Sequence, residues 1–182
     1  WKDATRAAFR AVDALDPRSP LVGVARRQGI TSIVSAPRGG LVSGRSAWMD
    51  LVHERSPLIG RAMFKDAAMH VHLGERGAMA AAGSRAMAFL QLRDVLDDAR
   101  IFASNRAAFT RNALYRLSVS RLDLEALGPV VDGKLPVVVE VSRASDISAV
   151  LALAKEQGLR IALLGAEEAW LVADEIARAK VP

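Results

Sequence analysis

The chain has 182 residues, of which 51% are hydrophobic and 25% charged, so it can bury the core of a domain and is not a disordered protein. It has a net charge of +5 and no cysteine, which excludes disulfides, thiolate nucleophiles and Cys-ligated zinc, yet suits both cytoplasm and periplasm. No run of eighteen apolar residues occurs, so we expect a soluble protein without a membrane partner, whose compartment the sequence leaves open.

The hydrophobic pattern predicts an alternation of strands and helices. Strands are expected where short runs of β-branched or aliphatic residues lie between turn formers, at 30–36, 67–73, 135–141 and 160–164. Helices are expected where apolar residues recur at helical spacing, at 4–15, 20–28, 84–109, 145–158 and 167–179. Alternating strands and helices predict a parallel sheet with right-handed crossovers. The chain stops at Val181-Pro182, where a further strand should begin.

Residues 39–46 have the spacing of a phosphate-binding P-loop. They fit G-x-x-x-x-G-[KR]-S, follow a predicted strand and precede a predicted helix at 47–52. Arg45 stands where that motif has lysine, and a planar guanidinium differs from an ammonium in shape and hydration. The alternative is a loop that turns tightly at the edge of an active site. Both interpretations stay open, and the first predicts nucleotide binding.

His70 and His72 form a histidine pair on the second predicted strand. Residues two apart on a strand point to the same side, so both imidazoles could bind one divalent ion or contact a substrate. The alternative is two histidines that pack or hydrogen-bond within the strand. The pair is a candidate metal site on the first interpretation only.

Arginines at a five-residue interval suggest, at first sight, a nucleic-acid surface. Such spacing scatters them around a helix, and no aromatic platform accompanies them, so we predict no nucleic-acid partner. The residues are Arg106, Arg111, Arg116 and Arg121.

Three segments carry a resemblance to a known family. Residues 134–147 run from a strand straight into a helix, residues 26–33 form a helix-to-strand junction, and residues 165–174 form a glycine-glutamate-aromatic helix entry. Together they resemble the amidohydrolase superfamily, in its imidazolonepropionase-like branch. Ser84, Arg85 and Arg93 lie in a helix that is similar to the family's insertion after a strand.

The resemblance implies a fold and a chemistry. The fold is α/β, a partial (β/α)8 TIM-type barrel with parallel strands and a long helical insertion, in which residues 1–182 form a single domain. The chain would be an internal fragment covering roughly the second to sixth strands, and its start lacks both methionine and the pattern of a signal peptide. Family members use one or two divalent metals, such as zinc, to hydrolyse C–N bonds in cyclic amides or dipeptide-like substrates.

The chain departs from the family's metal-binding pattern at two positions. Glu140 stands where the family has a histidine at a strand end, and Leu164 stands where it has a second one. Glu140 could be a metal ligand or a general base, or it could form a structural ion pair with Arg143. The histidine pair also follows the family's second-strand motif instead of preceding it. The protein is therefore either active or a divergent, inactive form.

The sequence predicts two classes of function. The first is a metal-dependent hydrolase of amide or cyclic amide bonds, with Glu140 catalytic, Arg143 binding a substrate carboxylate, and His70 and His72 binding metal or substrate. The second is a non-catalytic protein that kept a small-molecule pocket and lost the metal, which Leu164 favours. Either takes a small molecule as partner. Exposed sheet edges predict a homo-oligomer.

Overall fold

A computed structural model describes residues 4–16, 19–51, 62–105 and 117–182. Its centre is a five-stranded sheet whose strands lie side by side in chain order. The strands are β1 (Ser32–Ser35), β2 (Val42–Asp50), β3 (Ala62–His72), β4 (Val137–Val141) and β5 (Ile161–Gly165).

The sheet is mixed, which corrects the prediction of four parallel strands. β3, β4 and β5 run parallel, as predicted, whereas β1 with β2 and β2 with β3 run antiparallel. The reason is the length of the first connection. Residues 36–41 are too few for the helical crossover that joins parallel strands, and Gly39 and Gly40 both have positive φ and turn the chain back.

β2 occupies the P-loop-like segment, so the nucleotide-binding interpretation is wrong. Residues 47–50 continue the strand, and the motif needs a helix N-terminus there to hold phosphate. Gly44 has another role. A Cβ at this position would lie 2.6 Å from the carbonyl oxygen of Phe9, because the N-terminal segment crosses β2 at this point.

The N-terminal segment is mostly irregular, with isolated bridges to β2 at Thr5 and Arg10, although its pattern predicts a helix over 4–15. Only Ala11–Ala14 is helical, as one 3₁₀ turn. Backbone groups nearby bond to β2 instead: Arg6 donates to the carbonyl of Val42, and Arg45 donates to the carbonyl of Phe9. Backbone hydrogen bonds to β2 form here in place of a local helix. The spacing of apolar residues within the segment does not predict such bonds to a distant strand.

Six helices accompany the sheet in the described part of the chain. Four of them, α1, α3, α5 and α6, confirm predicted helices, while α2 and α4 were not predicted. They are α1 (Pro20–Arg27), α2 (Glu75–Ala80), α3 (Arg85–Ser104), α4 (Arg121–Val131), α5 (Ala144–Gln157) and α6 (Ala173–Ala179). A 3₁₀ turn, Ala169–Val172, leads into α6.

Local signals explain where several of these helices begin and end. Ser19 caps α1 and Ser84 caps α3, each accepting a backbone N–H. Gly158 ends α5 in the left-handed conformation, at φ 63°. The missed helix α4 carries a signal too, because Ser120 accepts from the N–H of Asp123 and donates to its carboxylate.

Parts of two predictions fall outside the described residues. They are the end of the predicted helix at 106–109 and the arginines Arg106, Arg111 and Arg116. Arg121 opens α4 and pairs with Glu125, as a solvated helix residue does. No described helix has the length and apolar character needed to cross a membrane.

The hydrophobic core lies between the sheet and α3, α4 and α5. Alternate residues of the strands point into it and are at most 3% exposed: Met69, Val71, Val137, Val139 and Val141. The residues between them, including His70, His72 and Glu140, therefore lie on the other face. The architecture is a five-stranded mixed sheet with helices, consistent with part of an α/β barrel.

Candidate functional site

Two neighbouring parallel strands bring three polar residues together. β3 pairs with β4 so that His72 lies opposite Glu140 and His70 lies opposite Val138. Opposed residues of a parallel pair share a face, so both imidazoles and the Glu140 carboxylate lie on the face away from the core. They stand at the C-terminal ends of their strands. We call the face of the sheet that points away from the hydrophobic core the inner face, and we call His70, His72 and Glu140 the inner-face cluster.

The two histidines of the cluster are buried. His70 is 7% exposed and His72 is 3% exposed. Nδ1 of His72 lies 3.0 Å from Oε2 of Glu140. Among described residues, Nε2 of His72 and Nε2 of His70 have no hydrogen-bond partner. These atoms are therefore open to a ligand.

Burial sets the charge of both imidazoles. Loss of water contact lowers the pKa of His70, the nearby His72 lowers it further, and Glu140 acts in the opposite direction. Burial likewise lowers the pKa of His72, and again Glu140 opposes the shift. Both side chains are consequently neutral at pH 7, the form that accepts a proton or binds a metal.

Arg76 is the cation that contacts Glu140. Its Nη1 lies 3.1 Å from Oε1 and donates a hydrogen bond to Oε2 at 3.3 Å. The residue belongs to α2, which starts directly after β3 and is held against it at Gly77. A Cβ at Gly77 would lie 2.1 Å from the carbonyl oxygen of His72, so only glycine allows this approach.

Arg143 does not make the ion pair with Glu140 that its spacing predicts. Its Nη2 lies 3.1 Å from Oε1 of Glu75. Arg143 is the N-cap of α5, where the chain has left the strand, so its side chain projects toward α2. Glu75 also pairs with Arg85, which in turn lies 3.3 Å from the buried carboxylate of Asp146. This chain of charges joins α2, α3 and α5 beside the cluster.

Leu164 lies next to Glu140 on the inner face. β5 pairs with β4 so that the two residues are opposite each other, and Leu164 is 47% exposed. The position therefore adjoins the cluster as the resemblance implies. A leucine supplies apolar surface and no ligand atom.

The described side chains do not fit a divalent metal site. Imidazole and carboxylate are suitable donors, but no three His, Asp or Glu side chains of the described residues are grouped to hold one ion. Arg76 occupies the Glu140 carboxylate. His70 and His72 do share one face, as predicted, while their role as metal ligands stays a prediction.

A separate groove of about 810 Å³, open to solvent, lies between the N-terminal segment, α3 and the start of α4. Two acids, Asp94 and Asp123, line it. Asp123 is already engaged, accepting from the backbone N–H of Ala8 and from Ser120. The lining residues contain no histidine. The imidazoles of the chain's candidate site therefore lie outside this groove.

The sequence interpretation missed Arg76. A signal was present, since the residue follows a strand end by four positions and adjoins Gly77, but nothing local indicates which carboxylate it meets. Glu140 is 64 residues away in the chain.

Comparison with known proteins bears on the fold. No protein-family model matches the sequence, and no curated protein matches it. The structure is similar to the crystal structure of an amidohydrolase from Thermotoga maritima MSB8, with a TM-score of 0.84 and 20% identity. The fold is therefore similar to that of part of that amidohydrolase. The likeness covers 99% of this chain and 48% of the other, so the chain spans about half the length of that protein.

This likeness supports the predicted resemblance at the level of the fold. It extends over β1 to β5 and the helices between them, the antiparallel strands β1 and β2 included. At 20% identity it does not extend to activity, because one fold serves many chemistries. The imidazolonepropionase-like branch stays a prediction.

Proposed function

We propose that this chain forms part of an amidohydrolase-like hydrolase that acts on amide or cyclic amide C–N bonds. The observation that carries the proposal is the inner-face cluster at the C-terminal ends of β3 and β4. Enzymes with α/β barrels place their catalytic groups at this end of the strands. The likeness of fold to an amidohydrolase supports the same choice of reaction.

The residues of the cluster suit a small, polar substrate. The neutral imidazoles of His70 and His72 can accept hydrogen bonds or protons from a substrate amide. Glu140 adds a carboxylate, the expected general base, and Leu164 adds an apolar wall. Arg143 is 54% exposed and could hold a substrate carboxylate with the donors that Glu75 leaves free. Zinc bound by the histidines, as in the parent family, stays a prediction.

The test is hydrolysis by the protein that contains this chain. N-acyl amino acids, dipeptides and cyclic amides such as hydantoins would be assayed for ring opening or amine release. We expect turnover in one class, reduced about 100-fold or more by Glu140→Gln, because general-base groups contribute that much. Glu156→Gln is the matched control, since Glu156 is a carboxylate that pairs with Arg93 at the surface. No turnover in any class, or equal rates for both variants, would contradict the proposal.

A second function, binding of a small molecule without catalysis, is favoured by one observation. Arg76 holds both oxygens of Glu140, and the side chain beside it, Leu164, supplies no ligand atom. A binding protein would be stabilised by its ligand, so the same compounds would raise Tm without being consumed. Consumption of the compound that raises Tm would exclude this alternative.

A further inference from the structure

We propose that the guanidinium of Arg76 takes the place of a divalent cation at Glu140, so that the inner-face cluster works without a metal ion. The inference rests on the proposed function only in placing the ligand site at this cluster. It departs from the expectation of zinc that the resemblance carries, because the described residues do not fit a metal.

The contact between Arg76 and Glu140 has the form of a cation on a bidentate carboxylate. A single nitrogen, Nη1, lies 3.1 Å from Oε1 and 3.3 Å from Oε2, so both oxygens face the same positive group. A divalent ion bound by this carboxylate would need the same oxygens. The Arg76 guanidinium and a divalent ion would therefore compete for the same carboxylate oxygens of Glu140.

Arg76 brings a positive charge to Glu140 from a helix whose position the fold constrains. A guanidinium donates hydrogen bonds and accepts none, so it can only meet the carboxylate as a cationic donor. α2 follows β3 immediately, and the close approach of Gly77 to the carbonyl of His72 leaves α2 little freedom to shift. A 2+ ion placed between His72 and Glu140 would meet this positive charge at short range, and like charges repel. The side chain of Arg76 is 52% exposed, so water reduces the strength of this repulsion.

The neighbouring histidines are consistent with a built-in cation. The ring nitrogens of His70 and His72 that lack partners remain available, and they are neutral nitrogen ligands of the kind that zinc prefers. Removing the arginine charge should therefore convert the cluster into a zinc site.

The experiment compares zinc binding by four forms of the protein that contains this chain. They are the wild type, Arg76→Ala, Arg76→Lys and Arg143→Ala, each purified without chelator or added metal, then titrated with zinc by calorimetry. Arg143 is the matched control because its side chain is 54% exposed, against 52% for Arg76, and it pairs with Glu75 instead of Glu140. A Glu140→Ala form of each identifies zinc that depends on the cluster.

We expect Arg76→Ala to bind about one equivalent of zinc per chain at least tenfold more tightly than the wild type, a gain lost when Glu140 is also removed. Arg76→Lys, which keeps the charge, and Arg143→Ala should bind zinc as the wild type does. If Arg76→Ala does not fold, Arg76→Gln replaces it. Wild-type protein holding one equivalent of Glu140-dependent zinc, or no gain in the neutral variants, would overturn the inference.

The outcomes separate this inference from the proposed hydrolase. Turnover that needs Glu140-dependent zinc in the wild type would support the hydrolase and contradict the inference that Arg76 replaces a metal ion. A gain of zinc by Arg76→Ala in a protein that hydrolyses none of the compounds would support the inference and remove the hydrolase.

Discussion

At the scale of residues, burial decides what the histidine pair can do. His70 and His72 lie on one face of β3 as their spacing predicts, and burial keeps their imidazoles neutral near pH 7. Spacing alone predicts a shared direction. It does not predict that Nε2 of each ring would lack a partner among the described residues, since that depends on what the rest of the fold places beside it.

The lowered pKa of each histidine predicts a loss of stability in mild acid. Both pKa values lie below the ordinary 6.5 in the folded state, so the unfolded chain binds more protons as the pH falls through 6.5. The stabilising contribution is therefore complete above 6.5 and is lost progressively toward the folded-state pKa. Urea unfolding at about pH 7.5 and about pH 5.5 should show a lower free energy of unfolding in acid.

His70→Asn provides the control for this pH dependence, because asparagine does not titrate. The free energy of unfolding of the His70→Asn variant should fall less between the two pH values than that of the wild type. An equal fall in both proteins would mean that His70 does not contribute to the pH dependence.

At the scale of elements, the fit of α2 against the end of β3 positions the cation of the site. Gly77 brings α2 against the carbonyl of His72, and this placement lets the preceding residue, Arg76, reach Glu140. Helix propensity would favour alanine over glycine by about 1 kcal/mol. The steric conflict at 2.1 Å with a backbone atom is the larger effect.

Gly77→Ala should therefore destabilise the protein, by about 1–3 kcal/mol, as overpacking does. Gly23→Ala in α1 is the matched control, because its nearest neighbour is the flexible end of Arg27 at 3.9 Å. That variant should be neutral or more stable by up to about 1 kcal/mol. Chemical denaturation of both proteins measures the difference, and equal stabilities would contradict the proposed close packing.

The first two strands show an element-scale limit of sequence reasoning. Residues 42–50 contain Gly44, Arg45 and two serines, and they lack the continuous apolar run of a buried strand. They form β2 because β1 and β3 supply backbone partners on both sides. The prediction of a P-loop rested on residue types alone. It was wrong because the segment pairs with its neighbouring strands.

At the scale of the whole molecule, the sheet of the described residues has two ends. At one end, Leu163 of β5 donates to the carbonyl of Pro182, so the last residue lies along the edge of that strand. At the other end is the four-residue strand β1, where the large side chain of Val34 is 54% exposed. Edge strands of this kind promote association between copies.

We propose that the isolated chain self-associates through β1. Light scattering should show a mass that rises with concentration, and Val34→Lys should reduce the rise, because a charge on an edge strand opposes strand pairing. Leu21→Lys is the control, since Leu21 is an exposed leucine of α1 outside the sheet. A constant monomer mass for the wild type would contradict the proposal.

What the sequence by itself determined is local: the strand-to-helix unit from β4 through α5 to β5 and its end at Gly158. These features depend on residues that are near each other in the chain. Tertiary structure alone decided the antiparallel direction of β1 and β2 and the pairing of Arg76, rather than Arg143, with Glu140. Such contacts join distant segments, and their selection depends on register and packing, which no local pattern specifies.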